Sequence, residues 1–165
     1  MSDIAARPRS PQGALLALVV FIGLCVAVAA LGGAATANNL RDWYSGLNKP
    51  SFNPPNWVFG PVWTLLYLMM AYAAWRVWRR NGPPPGLALG LWGVQLALNL
   101  GWSLIFFGLH APGPALVDLA VLLAAIVATA LAFRPRDSLA AALLLPYLAW
   151  CSFAFALNFE IWRLN

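Results

Sequence analysis

Gln95, Asn99, Trp102, Ser103 and Phe106 step by three and four residues through an otherwise apolar run, which sets them in one stripe along a helix. Two other runs carry stripes of the same kind, Trp63, Tyr67, Met70 and Ala74 in one and Tyr147, Trp150, Ala154 and Asn158 in the other. These side chains offer amide, phenol and indole hydrogen bonds beside flat aromatic surfaces. That is the chemistry of a pocket for a flat, largely apolar ligand with a few polar atoms. Hydrogen bonds that only hold a bundle together would use the same residue types, at ~0.6–2 kcal/mol each. Tryptophan beside Gln or Asn on repeated faces points to the pocket, since each buried indole N–H and amide then needs a partner. No hydrolytic triad, phosphate-binding loop or metal-ligand cluster is present. His110, the single histidine, has no second His or Cys near it, and no metal site is expected.

The stripes must be positioned by membrane-spanning helices. The chain is 62% hydrophobic and 9% charged over 165 residues, a composition no soluble domain of this length tolerates. Five apolar runs are each long enough to cross a bilayer, at about 14–36, 58–77, 86–109, 115–133 and 139–161. They are continuous and rich in Leu and Ala rather than alternating, which excludes a membrane β-barrel. The expected fold is therefore all-α, a single five-helix transmembrane domain over residues 14–165 preceded by a short tail, 1–13. Arg7 and Arg9 followed by the first run and Ala35-Thr36-Ala37 imitate a cleavable signal. A signal core is only ~7–15 residues long, so this run reads as a retained helix. Cys25 and Cys151 fall inside spans and read as small packing residues.

The third run has a second face. Gly86, Gly90, Gly93, Ala97 and Gly101 fall about half a turn from the polar stripe and make a smooth surface for close helix contact, within the chain or between two copies. Gly90, Gly93, Ala97 and Gly101 are the expected homodimer face. Pro146 should kink the fifth span by denying a hydrogen bond to the Ala142 carbonyl, while Pro61 fits the first turn of the second. Asp118, a turn or so into the fourth span, reads as a structural or pocket-rim acceptor ahead of a proton-coupling site.

Between the first two spans, residues 37–57 hold Trp43, Tyr44, Phe52, Trp57 and the stiff Pro54-Pro55 pair. Proline forces extended backbone here, so the connector must lie across something: the lipid headgroups, a cavity it covers as a lid, or both. The net charge of +5 resides in connectors rather than in one patch, which argues against a nucleic-acid partner. Arg7, Arg9, Arg76, Arg79, Arg80, Arg134 and Arg136 fall on one side of a five-span arrangement; Arg41, Lys49 and Arg163 fall on the other. In an energised membrane such as the bacterial cell membrane, this places the N-terminus in the cytoplasm and the lid outside.

With these residues in hand, the chain closely resembles the tryptophan-rich sensory protein family, whose eukaryotic branch is the translocator protein or peripheral benzodiazepine receptor. The resemblance runs from about Trp43 onward. It rests on Trp43-Tyr44, Lys49-Pro50, Pro54-Pro55 with Trp57, Gly60-Pro61-Val62-Trp63, Leu66-Tyr67, Gln95-Leu96-Ala97-Leu98-Asn99, Trp102, Phe106-Phe107-Gly108, Asp118, Pro146-Tyr147-Leu148-Ala149-Trp150 and Leu157-Asn158. It implies five transmembrane helices, homodimers, and binding of porphyrins such as protoporphyrin IX and haem, and of benzodiazepine-type drugs. It implies a ligand pocket at Trp63, Gln95, Asn99, Trp102, Asp118, Tyr147, Trp150, Ala154 and Leu157, under a lid that includes Trp43, Lys49 and Trp57. Tyr67 and Phe106 join that set from helical spacing. Trp63 and Trp150 match tryptophans implicated in light-driven porphyrin breakdown. Two departures stand out: Pro114 replaces an aromatic near the start of the fourth span, and Phe159 replaces the tyrosine of the sterol-recognition pattern, which argues against sterol binding.

Three functions follow, in this order: a porphyrin-binding membrane receptor that senses or traffics its ligand, a slow light-dependent porphyrin-degrading enzyme, and a transporter. The last lacks the repeated halves expected of that class. No cofactor is required in any of them, the porphyrin being ligand or substrate.

Overall fold

In hydrocarbon each backbone N–H and C=O must be satisfied within its own segment, so the apolar runs have no alternative to helix. The computed structural model describes residues 10–80 and 85–165, and among these it contains helices and no strand. Arg7, Arg9 and most of the expected tail lie outside the described residues. The chain runs α1 (Pro11–Leu40), a single turn α2 (Trp43–Gly46), a 3-10 turn (Asn56–Val58), α3 (Phe59–Arg79), α4 (Gly86–Ser103), α5 (Pro112–Phe133), α6 (Ser138–Ala142) and α7 (Leu145–Leu164). Five spans result: α1, α3 with its 3-10 turn, α4 with its extension, α5, and α6 with α7.

Local chemistry sets the ends. Ser10 caps α1 by accepting the Gly13 N–H at 3.2 Å, ahead of Pro11 at the first helical position. Asp137 caps α6 through the Ala140 N–H at 2.9 Å. Pro146 breaks the fifth span where a kink is expected: α6 stops at Ala142, and α7 begins afresh with the proline in its first turn, where its missing N–H costs nothing. The third span does not run straight to Leu109. After Ser103 it widens into a π turn, Leu104–Gly108, closed by Leu109 N–H donating to Leu104 O at 2.9 Å.

The spans pack in the spatial order second, first, third, fourth, fifth: α1 lies between α3 and α4, and α5 between α4 and α7, while α6 returns to α3. Close approach uses small residues, as expected where lipid supplies no hydrophobic drive between helices. A Cβ on Gly32 of α1 would meet Ser103 Oγ of α4 at 3.1 Å. The core half of the bundle is solid, with Met70, Ala73, Ala74, Leu122, Ile126, Phe133, Ala140 and Leu144 inaccessible to solvent. At that end Arg76 and Arg80 both bind Asp137, with N–O distances of 2.9 and 2.7 Å, tying α3 to the α5–α6 turn. Burial alone would raise the Asp137 pKa, but hydrogen bonds from Arg76, the Ala140 amide and Arg80 outweigh it and hold it at about 2.

Candidate functional site

At the opposite end, α3 and α7 stand apart, and a cavity of about 450 Å³ opens among α1, α3, the third span and α7. Each wall follows from its helix. From α3 come Phe59, Gly60, Trp63, Thr64 and Tyr67, successive positions of one helical face. The third span supplies Asn99, Trp102 and Ser103, and the π turn then rotates both Phe106 and Phe107 inward. From α7 come Ala154, Leu157, Asn158 and Ile161. None of the lining residues is charged.

Polar groups are organised around this wall. Tyr67 donates its hydroxyl to Asn99 Oδ1, and Trp102 Nε1–H donates to Asn158 Oδ1 at 3.0 Å. Asn158 Nδ2 in turn donates to the Pro112 carbonyl at 2.8 Å, so one amide joins the third, fourth and fifth spans. Asn99 Nδ2 has no hydrogen-bond partner among the described residues. One turn below it Gln95, fully buried, has none for either side-chain atom, and the buried Tyr147 hydroxyl likewise has none. These groups form a polar layer under an apolar, aromatic chamber, with unused donors and acceptors.

Of the expected pocket residues, Trp63, Tyr67, Asn99, Trp102, Phe106, Ala154 and Leu157 line the cavity. Four do not. Gln95 lies below it, and Tyr147 stands behind Trp63, ring centroids 6.2 Å apart. Trp150 packs behind the wall between Phe59 and Phe153, at 5.8 and 5.6 Å. Helical spacing marks a face without fixing how deep along it the chamber reaches. Asp118 is directed at α4 instead: a Cβ on Gly101 would sit 3.1 Å from its Oδ1. That contact sets Gly101 against the neighbouring helix of its own chain. Gly90, Gly93 and Ala97 are exposed, and Cβ atoms added to the two glycines would meet nothing within 4 Å.

The connector borders the chamber, and the expected Trp43, Lys49 and Trp57 are not among the lining residues. Tyr44 lines the cavity, flanked by Leu40 at the end of α1 and Asn56 of the 3-10 turn. Trp43 stacks on His110 at 4.5 Å and meets Phe106 edge-on at 5.4 Å, fastening the lid from its flank. Lys49 turns back on the lid itself, donating to the Ser45 and Leu47 carbonyls and lying 4.8 Å from the Tyr44 ring centre. Trp57 is 76% exposed and points outward, as an interfacial anchor would. Residues 37–40 belong to α1, so the lid proper spans 41–55.

The wall from α1 escaped helical spacing altogether. Ala29, Gly32, Gly33, Thr36 and Ala37 line the cavity, yet that helix presents no stripe of aromatic and amide side chains to mark the face. The only trace in the sequence is the cluster of small residues around Gly32-Gly33 in a run otherwise rich in Leu and Val.

Comparison with known proteins places this geometry. The model of the TspO/MBR family matches residues 21–163. A tryptophan-rich protein TspO of Chlorobaculum tepidum is 46% identical over 155 residues, 92% of this chain and 97% of that one. A translocator protein of Homo sapiens is 48% identical over 126 residues, covering 74% and 75% of the two chains. A tryptophan-rich sensory protein of Cereibacter sphaeroides is 43% identical over 141 residues, covering 84% and 88%.

Proposed function

This chain belongs to the TspO/MBR family, and on that premise we propose that it is a membrane receptor for porphyrins, such as protoporphyrin IX and haem, acting in tetrapyrrole sensing or trafficking. The observation that carries the reading is an uncharged chamber of about 450 Å³ walled by Trp63, Tyr67, Trp102, Phe106 and Phe107 beneath a lid. That volume falls in the range of small-molecule sites. Aromatic faces suit the apolar macrocycle. The macrocycle's edge carboxylates, finding no cation among the lining residues, stay at the mouth, and Arg41, exposed and next in the chain to the lining Leu40, pairs with one of them. The protein sits in the cell membrane with its N-terminus cytoplasmic and works as a homodimer through Gly90, Gly93 and Ala97; Ala97→Leu should then weaken the dimer while sparing ligand binding.

A light-dependent porphyrin-degrading enzyme is the second reading, and Trp63 favours it. Of the two tryptophans proposed as redox partners, Trp63 alone lines the chamber. Titration of the purified protein with protoporphyrin IX, in darkness and then under illumination, tests both. Saturable binding in the dark is the expected result, and its absence rejects the receptor. Loss of porphyrin absorbance in the light, with new tetrapyrrole products, supports the enzyme; unchanged absorbance rejects it.

A further inference from the structure

The two halves of the lid are held by different means. Its first half is embedded: Tyr44 is 4% exposed and packs on Phe106 and Phe107, and Trp43 is stacked on His110, whose Nε2 lies 2.8 Å from Asn39 Oδ1. The outer half, residues 47–55, meets the bundle chiefly at α7. There Asn165 does something that neither its type nor its position in the sequence announces. Its Oδ1 accepts the Asn48 backbone N–H at 3.0 Å, and its Nδ2 donates to the Asn48 carbonyl at 3.1 Å. One side-chain amide thus pairs with one backbone residue through both of its hydrogen-bonding groups, as a neighbouring strand would. The same Nδ2 donates to the Ile161 carbonyl at 2.7 Å, which ties the clasp to the last turn of α7, itself a cavity wall through Leu157 and Ile161. Phe52 also meets Phe153 of α7, 6.2 Å apart, and Leu47 packs on the cluster that holds Leu157 and Ile161.

We propose that Asn165 is a positioning residue for the ligand site: its amide clasps Asn48 and holds the outer half of the lid against α7, where Asn53 Oδ1 accepts the hydroxyl of the cavity-lining Tyr44 at 2.9 Å, so that ligand residence is governed by release of this clasp. The role in residence rests on the porphyrin-binding reading; the clasp does not. Because the paired bonds are exposed and each is of ordinary strength, breaking them accelerates lid opening modestly, by roughly three- to tenfold. The embedded half keeps its place, and the lid swings from the Trp43 side.

The test uses Asn165→Ala and Asn48→Ala in the full chain. Asn165→Ala removes the paired bonds. Asn48→Ala removes only the long 3.4 Å bond from Asn48 Nδ2 to the Leu164 carbonyl and leaves the backbone pair intact. Amide hydrogen exchange over residues 47–53 is measured without ligand, and protoporphyrin IX association and release are followed by fluorescence quenching. Asn165→Ala should speed exchange at the Asn48 amide and speed porphyrin release roughly three- to tenfold with an unchanged unfolding midpoint, whereas Asn48→Ala should match the parent. Unchanged exchange in Asn165→Ala, or equal loosening in both variants, overturns the clasp. Faster exchange with unaltered porphyrin release overturns its role in residence. If no porphyrin binds the parent protein, the receptor reading fails, and exchange still decides the clasp.

Discussion

The two ends of this bundle are built from the same kinds of helix and packed in opposite ways. At the Asp137 end, alanines alternate with large side chains along α3, so that Met70, Ala73, Ala74 and Val77 leave no gap. At the lid end, large aromatics on α3 and the third span and aliphatic side chains on α7 face small residues on α1, and the helices hold a chamber open between them. Polar groups follow the division. At the solid end Asp137 is saturated, bound by two arginines and an amide. Beneath the chamber Gln95, Asn99 and Tyr147 keep hydrogen-bonding capacity unused. One end holds the fold, and the other keeps room for a ligand.

On that division, Asp137→Ala gives the largest effect. It leaves Arg76 without its partner and α6 without its cap, and should cost about 3 kcal/mol of stability. Thermal unfolding in detergent measures this, and ligand affinity of the folded fraction should not move. Next comes pH. The Asp137 carboxyl is held at about 2 when folded, against ~3.9 unfolded. Its contribution, about 2 kcal/mol, is therefore fully present above pH ~4 and is lost as pH falls through about 2. The Asp137→Asn protein should lack this acid-side loss. A midpoint that falls just as steeply in that variant between pH ~4 and ~2 would break the assignment.

The remaining predictions concern the open end. Gly32→Leu pushes against Ser103 and fills the chamber from the α1 side, and should weaken porphyrin binding roughly tenfold or more. Trp63→Phe keeps an aromatic wall but loses part of the stacking surface, so the dissociation constant should rise roughly three- to tenfold. Trp150→Phe, behind the wall, should change it least, within roughly twofold, the cost of altering only support behind Phe59. Equal losses in Trp63→Phe and Trp150→Phe, read by titration, would show that the ligand reaches deeper toward α7 than the chamber does.

Much of this was legible in the residues. Length and apolarity gave five spans, because hydrocarbon leaves the backbone no other choice. The Pro54-Pro55 pair marked the connector and Pro146 the break in the fifth span, because a missing N–H acts locally. The stripes through Trp63, Asn99 and Ala154 pointed at the chamber, because a 3.6-residue period assigns faces directly. Periodicity, however, names a face and not a depth, so Gln95, Tyr147 and Trp150 share their stripes with true lining residues yet lie outside the cavity.

What the sequence determined by itself was whatever depends on a residue and its near neighbours in the chain: the spans, their caps, the faces and the aromatic connector. What only the tertiary structure decided was how those faces meet. The order of the spans brought the featureless α1 against the chamber as its fourth wall, set Asp118 against Gly101, and turned Lys49 onto the lid's own carbonyls. It also joined Asn48 to Asn165, separated by 117 positions. No local rule reaches that far, since such contacts exist only once the helices have chosen their neighbours by shape.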